Sequence, residues 1–193
     1  MNAQPLIDHF ESFLPLSDTE RQLIESRVAR RIVRRKEEIL RAGHLCRHYS
    51  FVAEGCLKMY VVDTKGVNYN IQFAAEGDWI ADIGGFHSGK PSQAFIEAVE
   101  PSIVFTIEKE DLYHLYRSIS KLDRIFKVII ENKFVELQNR VLQNISSTAH
   151  ERYRSFVEQY PKLVQRLPNT QIASYLGITP EFLSKVRKDL SRH

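Results

Sequence analysis

The sequence predicts an α+β protein in which an antiparallel β sandwich or barrel is followed by a long helix and a C-terminal helix-turn-helix. Three observations carry this. Between Ile32 and Ile107, short apolar runs alternate with turn signals. From Asp111, apolar residues recur every three or four positions for over thirty residues. Residues 169–190 read as two short helices around a glycine turn.

Residues 5–30 have helical texture, with Leu6, Ile7, Phe10 and Phe13 on one face. Leu14-Pro15-Leu16 breaks the pattern, and Ser17 or Asp18 is placed to cap a second helix carrying Leu23, Ile24 and Val28. A basic run follows: Arg27, Arg30, Arg31, Arg34, Arg35 and Lys36. Such a run is ordinarily a solvated face; its functional reading is a contact with DNA or another protein.

The strands expected are 39–40, 49–52, 57–62, 69–73, 95–99 and 103–107, each rich in β-branched or aromatic residues. Ala42-Gly43, Glu54-Gly55, Lys65-Gly66, Glu76-Gly77-Asp78 and Glu100-Pro101 separate them. Evenly spaced short strands with such turns argue for a sandwich or barrel.

The helical stretch carries one apolar stripe of Ile119, Leu122, Phe126, Ile130, Phe134, Leu137, Val141 and Ile145. A second, broken stripe holds Ile125, Val128, Val135 and Leu142. A helix apolar on two sides needs two partners, here the β domain and the same helix of a second subunit. This makes residues 111–146 a dimerisation helix, with the second stripe as its seam. Residues 1–146 then form a sensor domain with that helix, and 147–193 a DNA-binding domain. Ser146-Ser147-Thr148 is the candidate hinge between them.

In the last stretch, Ile172, Ala173 and Leu176 form an apolar face and Gly177 ends the first helix. Thr179 caps the second helix, Pro180 suits its first position and Glu181 faces the helix dipole. Leu183, Val186 and Leu190 form its buried stripe, and the small Ala173 permits a close crossing. Two helices so arranged place the second in a DNA major groove. Charge agrees: residues 147–193 carry eight Lys/Arg against four Asp/Glu, so the segment has +4 of a chain total of +3. Basic excess beside such a motif favours phosphate contact.

No apolar run approaches membrane-spanning length, and the N-terminus lacks the basic region and apolar core of a signal peptide. A cytoplasmic protein is expected, with Cys46 and Cys56 unpaired.

A β domain, a long helix and a C-terminal helix-turn-helix in that order resemble the Crp/Fnr family of bacterial transcription regulators. The resemblance covers essentially the whole chain and rests on Gly43, Glu54-Gly55, Gly77-Asp78, Gly84-Gly85-Phe86 and the helix-turn-helix. It implies a jelly roll like those that bind cyclic nucleotides, a homodimer and a palindromic site on double-stranded DNA, with RNA polymerase and a small-molecule effector as further partners. The wing that many relatives carry is expected to be short or absent, since His193 closely follows the recognition helix.

Carried over residue by residue, the base-reading face is Thr179, Pro180, Glu181, Phe182 and Lys185. Glu181 suits a cytosine amino group, Lys185 a guanine, and Phe182 a thymine methyl. Many relatives have arginine where Pro180 stands, so part of the usual code is missing. Ser184, Lys188, Asn169 and Thr170 suit phosphate. The ligand pocket of the family falls on Gly77, Asp82, Gly84, Ser92 and Gln93. Relatives that bind cyclic nucleotides hold the ribose with Gly-Glu and the phosphate with Arg-Ser or Arg-Thr. Here Ala81-Asp82 and Ser92-Gln93 stand instead, so the phosphate loses its guanidinium. No response to cyclic AMP and no cofactor are expected, with Lys90 or His87 as the substitute anchor to test.

Two other readings were weighed. One is a dimeric β-roll sensing or interaction module without DNA binding. The other is a cupin-like metal enzyme built on His44, Cys46, His48 and Glu54, for which alternation would put the first three on one strand face. The histidine spacing departs from the cupin pattern, and two cysteines are too few for an iron–sulfur cluster. No catalytic residues and no metal ligands are therefore assigned.

Overall fold

The computed structural model describes residues 3–190. In chain order its elements are α1 (Gln4–Glu11), α2 (Asp18–Ser26), β1 (Ala29–Val33), β2 (Glu38–Leu40), β3 (His48–Glu54), β4 (Leu57–Val62), β5 (Asn68–Ala74), β6 (Trp79–Ile80), α3 (Ile83–Ser88), β7 (Phe95–Ala98), β8 (Ser102–Glu108), α4 (Lys109–Ser118), α5 (Ser120–Ser146), α6 (Ala149–Gln159), α7 (Leu163–Arg166), α8 (Asn169–Leu176) and α9 (Pro180–Leu190). They fall into two compact units. The first runs to Val61 and resumes over Gln72–Ile129; the second is Val62–Ile71 with everything from Ile130 onward. The sequence-based boundary at 146/147 follows chain order, whereas compactness divides the long helix near its middle.

The first unit is built on two four-stranded sheets, ordered β1-β8-β3-β6 and β2-β7-β4-β5. The expected sandwich is thus a jelly roll, in which successive strands, the β4–β5 pair apart, pass between the sheets. Tyr49 and Phe51, two residues apart on β3, meet the Trp79 ring at 5.8 and 5.3 Å, as strand alternation requires. Phe10 of α1 stacks on Trp79 at 5.9 Å, and Phe126 of α5 closes the cluster at 5.1 Å from Trp79. Each large apolar side chain buried there contributes roughly 1.5–3 kcal/mol. α1 ends at Glu11, ahead of Leu14-Pro15-Leu16, and Ser17 and Glu20 form a complete capping box that starts α2 promptly after that break. At Gly55, φ is +91° and a Cβ would lie 2.3 Å from Ser102 Oγ and 2.6 Å from the Pro101 carbonyl oxygen, so only glycine fits this turn.

The structure departs from the sequence reading in three places. The helical texture read to residue 30 stops at Ser26, and a strand not expected from sequence begins at Ala29: Arg30 and Arg31 lie on β1, an edge strand paired antiparallel with β8 from Ala29↔Thr106 to Val33↔Ser102. Pairing with β8 overrides local texture, and exposed arginines suit an unpaired edge. The helical stretch from 111 is two helices, broken at Ile119 (φ −127°, ψ 88°). Periodicity misses this break because Ile119 is itself buried in the core that both helices cover. The two stripes of α5 also do not divide between two partners. Leu122 and Phe126 from one and Ile125 from the other are all buried in the first unit, while Phe134, Val135, Leu137, Val141, Leu142 and Ile145 are all exposed.

The second unit packs α6, α7, α8 and α9 around Tyr153, Phe156, Leu163, Ile172, Leu176, Leu183 and Val186. Thr148 and Glu151 form a capping box that starts α6 two residues after α5 ends, so the Ser-Ser-Thr stretch is a helix-to-helix break. The expectation about the wing concerns residues 191–193, outside the described residues.

Candidate nucleic-acid interface

The turn between α8 and α9 is held by backbone chemistry that the residues dictate. Gly177 takes φ +66°, and the following Ile178 amide donates to the Ala173 carbonyl at 3.0 Å. A side chain at Gly177 would be strained there. Thr179 then caps α9, its Oγ1 accepting from the Phe182 amide at 3.2 Å. The Glu181 carboxyl is held below the ordinary carboxylate range by its own backbone amide and the Thr179 hydroxyl.

Leu183 and Val186 are fully buried, which fixes the rotation of α9. The residues left outward are Glu181, Phe182, Ser184, Lys185 and Lys188, with Thr179 exposed at the start and Pro180 half-buried. Glu181, Lys185 and Lys188 lie one turn apart in succession, so they form one polar ridge. The Ser184 hydroxyl donates to the Pro180 carbonyl at 2.9 Å, leaving its oxygen as an acceptor. Asn169 and Thr170 are exposed at the start of α8.

Sequence reasoning missed two arginines. Arg187 donates to the Asn169 carboxamide oxygen and lies 5.9 Å from the Tyr153 ring centre, tying the ends of α9, α8 and α6 together. Arg140 of α5 sits 3.9 Å over the Tyr175 ring and donates to the carbonyls of Tyr175 at 2.9 Å, Asn70 at 2.7 Å and Ile71. On a helical wheel Arg140 reads as one more polar residue; only the fold supplies its carbonyl partners. Asn70 adds two hydrogen bonds from its amide group to Gln171, both at 2.9 Å.

The residues assigned to the family's ligand pocket are spent on the fold or exposed. Asp82 caps α3, accepting from the Gly85 amide at 3.1 Å. Ser92 is buried, and its hydroxyl closes on Ala94, accepting from the amide at 3.0 Å and donating to the carbonyl at 3.2 Å. Gly84 and Gln93 are exposed, and Gly77 sits in the turn before β6. His87 Nδ1 lies 3.2 Å from the Tyr113 hydroxyl.

His44, Cys46 and His48 do not share a strand face, contrary to the alternation argument. β3 starts only at His48, and before it Leu45 makes an isolated bridge to Pro91. The Cys46 thiol is pushed up by burial and donates weakly to the His48 carbonyl at 3.6 Å. Both cysteines are free. No described helix is long and apolar enough to cross a membrane.

Comparison with known proteins agrees with this geometry. A family model described as the cyclic nucleotide-binding domain matches residues 30–118. The fumarate and nitrate reduction regulatory protein of Vibrio cholerae is 25% identical over 167 residues, 80% of this chain; the chain spans 65% of that relative's length. In fold, the chain resembles FixK2 from Bradyrhizobium japonicum, with a TM-score of 0.73, 20% identity and coverage of 86% of this chain and 85% of that one. It also resembles a Crp/Fnr-family regulator from Eubacterium rectale, with a TM-score of 0.72, 15% identity and coverage of 95% and 88%. The Vibrio cholerae and Eubacterium rectale proteins are both named as regulators. With the matched domain, the jelly roll, the long helix and the capped helix pair all in the same order, the chain has the fold of Crp/Fnr-type transcriptional regulators and is similar to them in sequence over its cyclic nucleotide-binding domain.

Proposed function

We propose that this protein is a homodimeric regulator that reads a palindromic DNA operator through α9 and does not respond to cyclic AMP. The observation that carries this reading is the outward ridge of Glu181, Lys185 and Lys188 on a capped helix whose opposite face, Leu183 and Val186, is fully buried. Such a helix offers a carboxylate acceptor and ammonium donors to base edges and phosphates. Asn169 and Thr170 add polar groups at the start of α8 suited to phosphate. The dimer reading is supported by the apolar side chains of α5 beyond Ile130, which burial against water would favour. A two-fold dimer matches a two-fold operator. The reading without cyclic AMP is supported by Ser92, which stands where relatives place arginine and has its hydroxyl closed on Ala94.

Selection from a random DNA pool with wild type, Glu181→Ala and Lys188→Ala tests the reading. Wild type is expected to select a palindrome with half-sites about one helical turn apart. Glu181→Ala should cost about 1–3 kcal/mol and relax one position in each half-site; Lys188→Ala should weaken all sequences alike and reduce the salt slope by about one. If wild type selects nothing, the interaction-module reading replaces this one.

A further inference from the structure

The first unit contains a cavity of about 300 Å³ between β1, β2, β3, β7 and β8. None of Gly77, Asp82, Gly84, Ser92 or Gln93 lines it, although it adjoins the pocket that the family resemblance assigns, since the Ser92 amide donates to the His44 carbonyl at 2.8 Å. Its volume is at the lower end for small-molecule sites.

The charges at this cavity are unbalanced. Arg31, Arg41 and Arg47 line it against Glu38, the one carboxylate among the lining residues, and His44 and His48 add imidazole nitrogens. Glu38 is already committed: it pairs with Arg41 Nε at 2.6 Å and accepts from the Tyr60 hydroxyl at 3.2 Å. Arg31 is held by Glu37 at 2.8 Å, and His48 by Glu108 at 3.5 Å, both partners lying outside the lining. Arg47 and His44 have no side-chain hydrogen bond or ion pair among the described residues. The apolar part of the wall comes from Leu40, Leu45 and Ile96.

We propose that this cavity binds a small organic carboxylate with a short apolar chain. The carboxylate takes the unpaired Arg47 fork, with His44 beside it, and the chain lies on Leu40, Leu45 and Ile96. One free guanidinium matches the single negative charge and two oxygens of a carboxylate. A phosphate monoester carries up to two charges, for which this site has one uncommitted fixed cation. The site gives the β domain a ligand that does not need the missing cyclic-nucleotide anchor, and it stands independently of whether α9 reads DNA.

The test is a titration of the full-length protein followed by backbone amide NMR, with hexanoate, hexanamide and inorganic phosphate as probes. Hexanoate is expected to shift the amides of Leu45, Arg47 and Ile96 saturably, and hexanamide, its uncharged counterpart, to leave them in place. Arg47→Gln should weaken hexanoate about tenfold, the loss expected when one charge-assisted hydrogen-bonding group is removed. Leu45→Asp, which sets a negative charge at the mouth, should weaken it as well; both positions are exposed, so both variants should fold. Equal shifts with hexanoate and hexanamide, phosphate binding as tightly as hexanoate, or unchanged affinity in Arg47→Gln would each overturn the proposal.

Discussion

The Arg140 guanidinium lies 3.9 Å from the centre of the Tyr175 ring and donates to the Tyr175 carbonyl oxygen at 2.9 Å. One side chain of α5 therefore fixes the first helix of the helix-turn-helix and, through the carbonyls of Asn70 and Ile71, the tip of the β4–β5 hairpin. Replacing Arg140 with leucine strips these carbonyls of their donors and removes the cation from the ring. A loss of about 2–4 kcal/mol in the second unit is expected, read by urea unfolding. A change under about 0.5 kcal/mol would show that water replaces the guanidinium without cost.

Thr179→Ala removes the cap of α9. It should cost about 0.5–2 kcal/mol, and Thr179→Ser should restore most of it. The Glu181 carboxyl also loses the hydroxyl that helps keep its pKa low, so its pKa should rise toward the ordinary carboxylate value. Carbonyl-carbon NMR across a pH series measures this directly; an unmoved Glu181 would mean that its own backbone amide suffices.

In the proposed homodimer, the exposed half of α5 supplies the seam. Ile130, Phe134, Leu137, Val141 and Ile145 follow spacings of four and three, close to the repeat of paired helices, and Phe134 and Ile145 are 64% and 80% exposed. The seam expected from sequence included Val128, which is half-buried. Leu137→Glu with Val141→Glu should give a monomer at micromolar concentration in sedimentation, while Val135→Glu should remain a dimer. The reverse result would return the seam to the Val128–Val135 side.

His9 sets a pH dependence for the first unit. Its ring contacts Phe10, Phe13, Phe51 and Trp79, and Trp79 Nε1 donates to His9 Nε2 at 3.1 Å. Burial holds the imidazole below its ordinary 6.5, with Asp78 pulling the other way. The unfolded chain therefore takes the proton first. Stability is complete above about pH 6.5, falls as pH drops toward the folded value, and levels off below it. In His9→Gln, which keeps an acceptor for Trp79, urea midpoints at pH 7.5 and 5.5 should lie closer together than in wild type. Equal separation would assign the acid sensitivity to other groups.

Calorimetry with cyclic AMP should show no saturable heat at micromolar ligand, because no guanidinium stands at Ser92 to hold the phosphate. A micromolar dissociation constant would overturn this, and loss of that binding in Lys90→Gln or His87→Gln would identify the substitute anchor.

Much of this molecule could be read from its sequence. Strand alternation, the glycine turns and the pairing of Gly177 with Thr179 are local, since each is a backbone preference expressed within a few residues. They determined six of the eight strands of the jelly roll among the described residues, the helix-turn-helix and the outward residues of α9. The tertiary structure decided what depends on distant partners. Pairing with β8 drew Arg30 and Arg31 into a strand. A shared core hid the break at Ile119 from the apolar period. Packing against the β domain used both stripes of α5 in its first half and left both exposed in its second. Arg140 and Arg47 differ for the same reason. Each reads as an ordinary surface charge in sequence, and only the fold surrounds one with carbonyls and leaves the other without a partner at a cavity. Local propensity is set by neighbours in the chain, whereas pairing, burial and charge balance are set by neighbours in space.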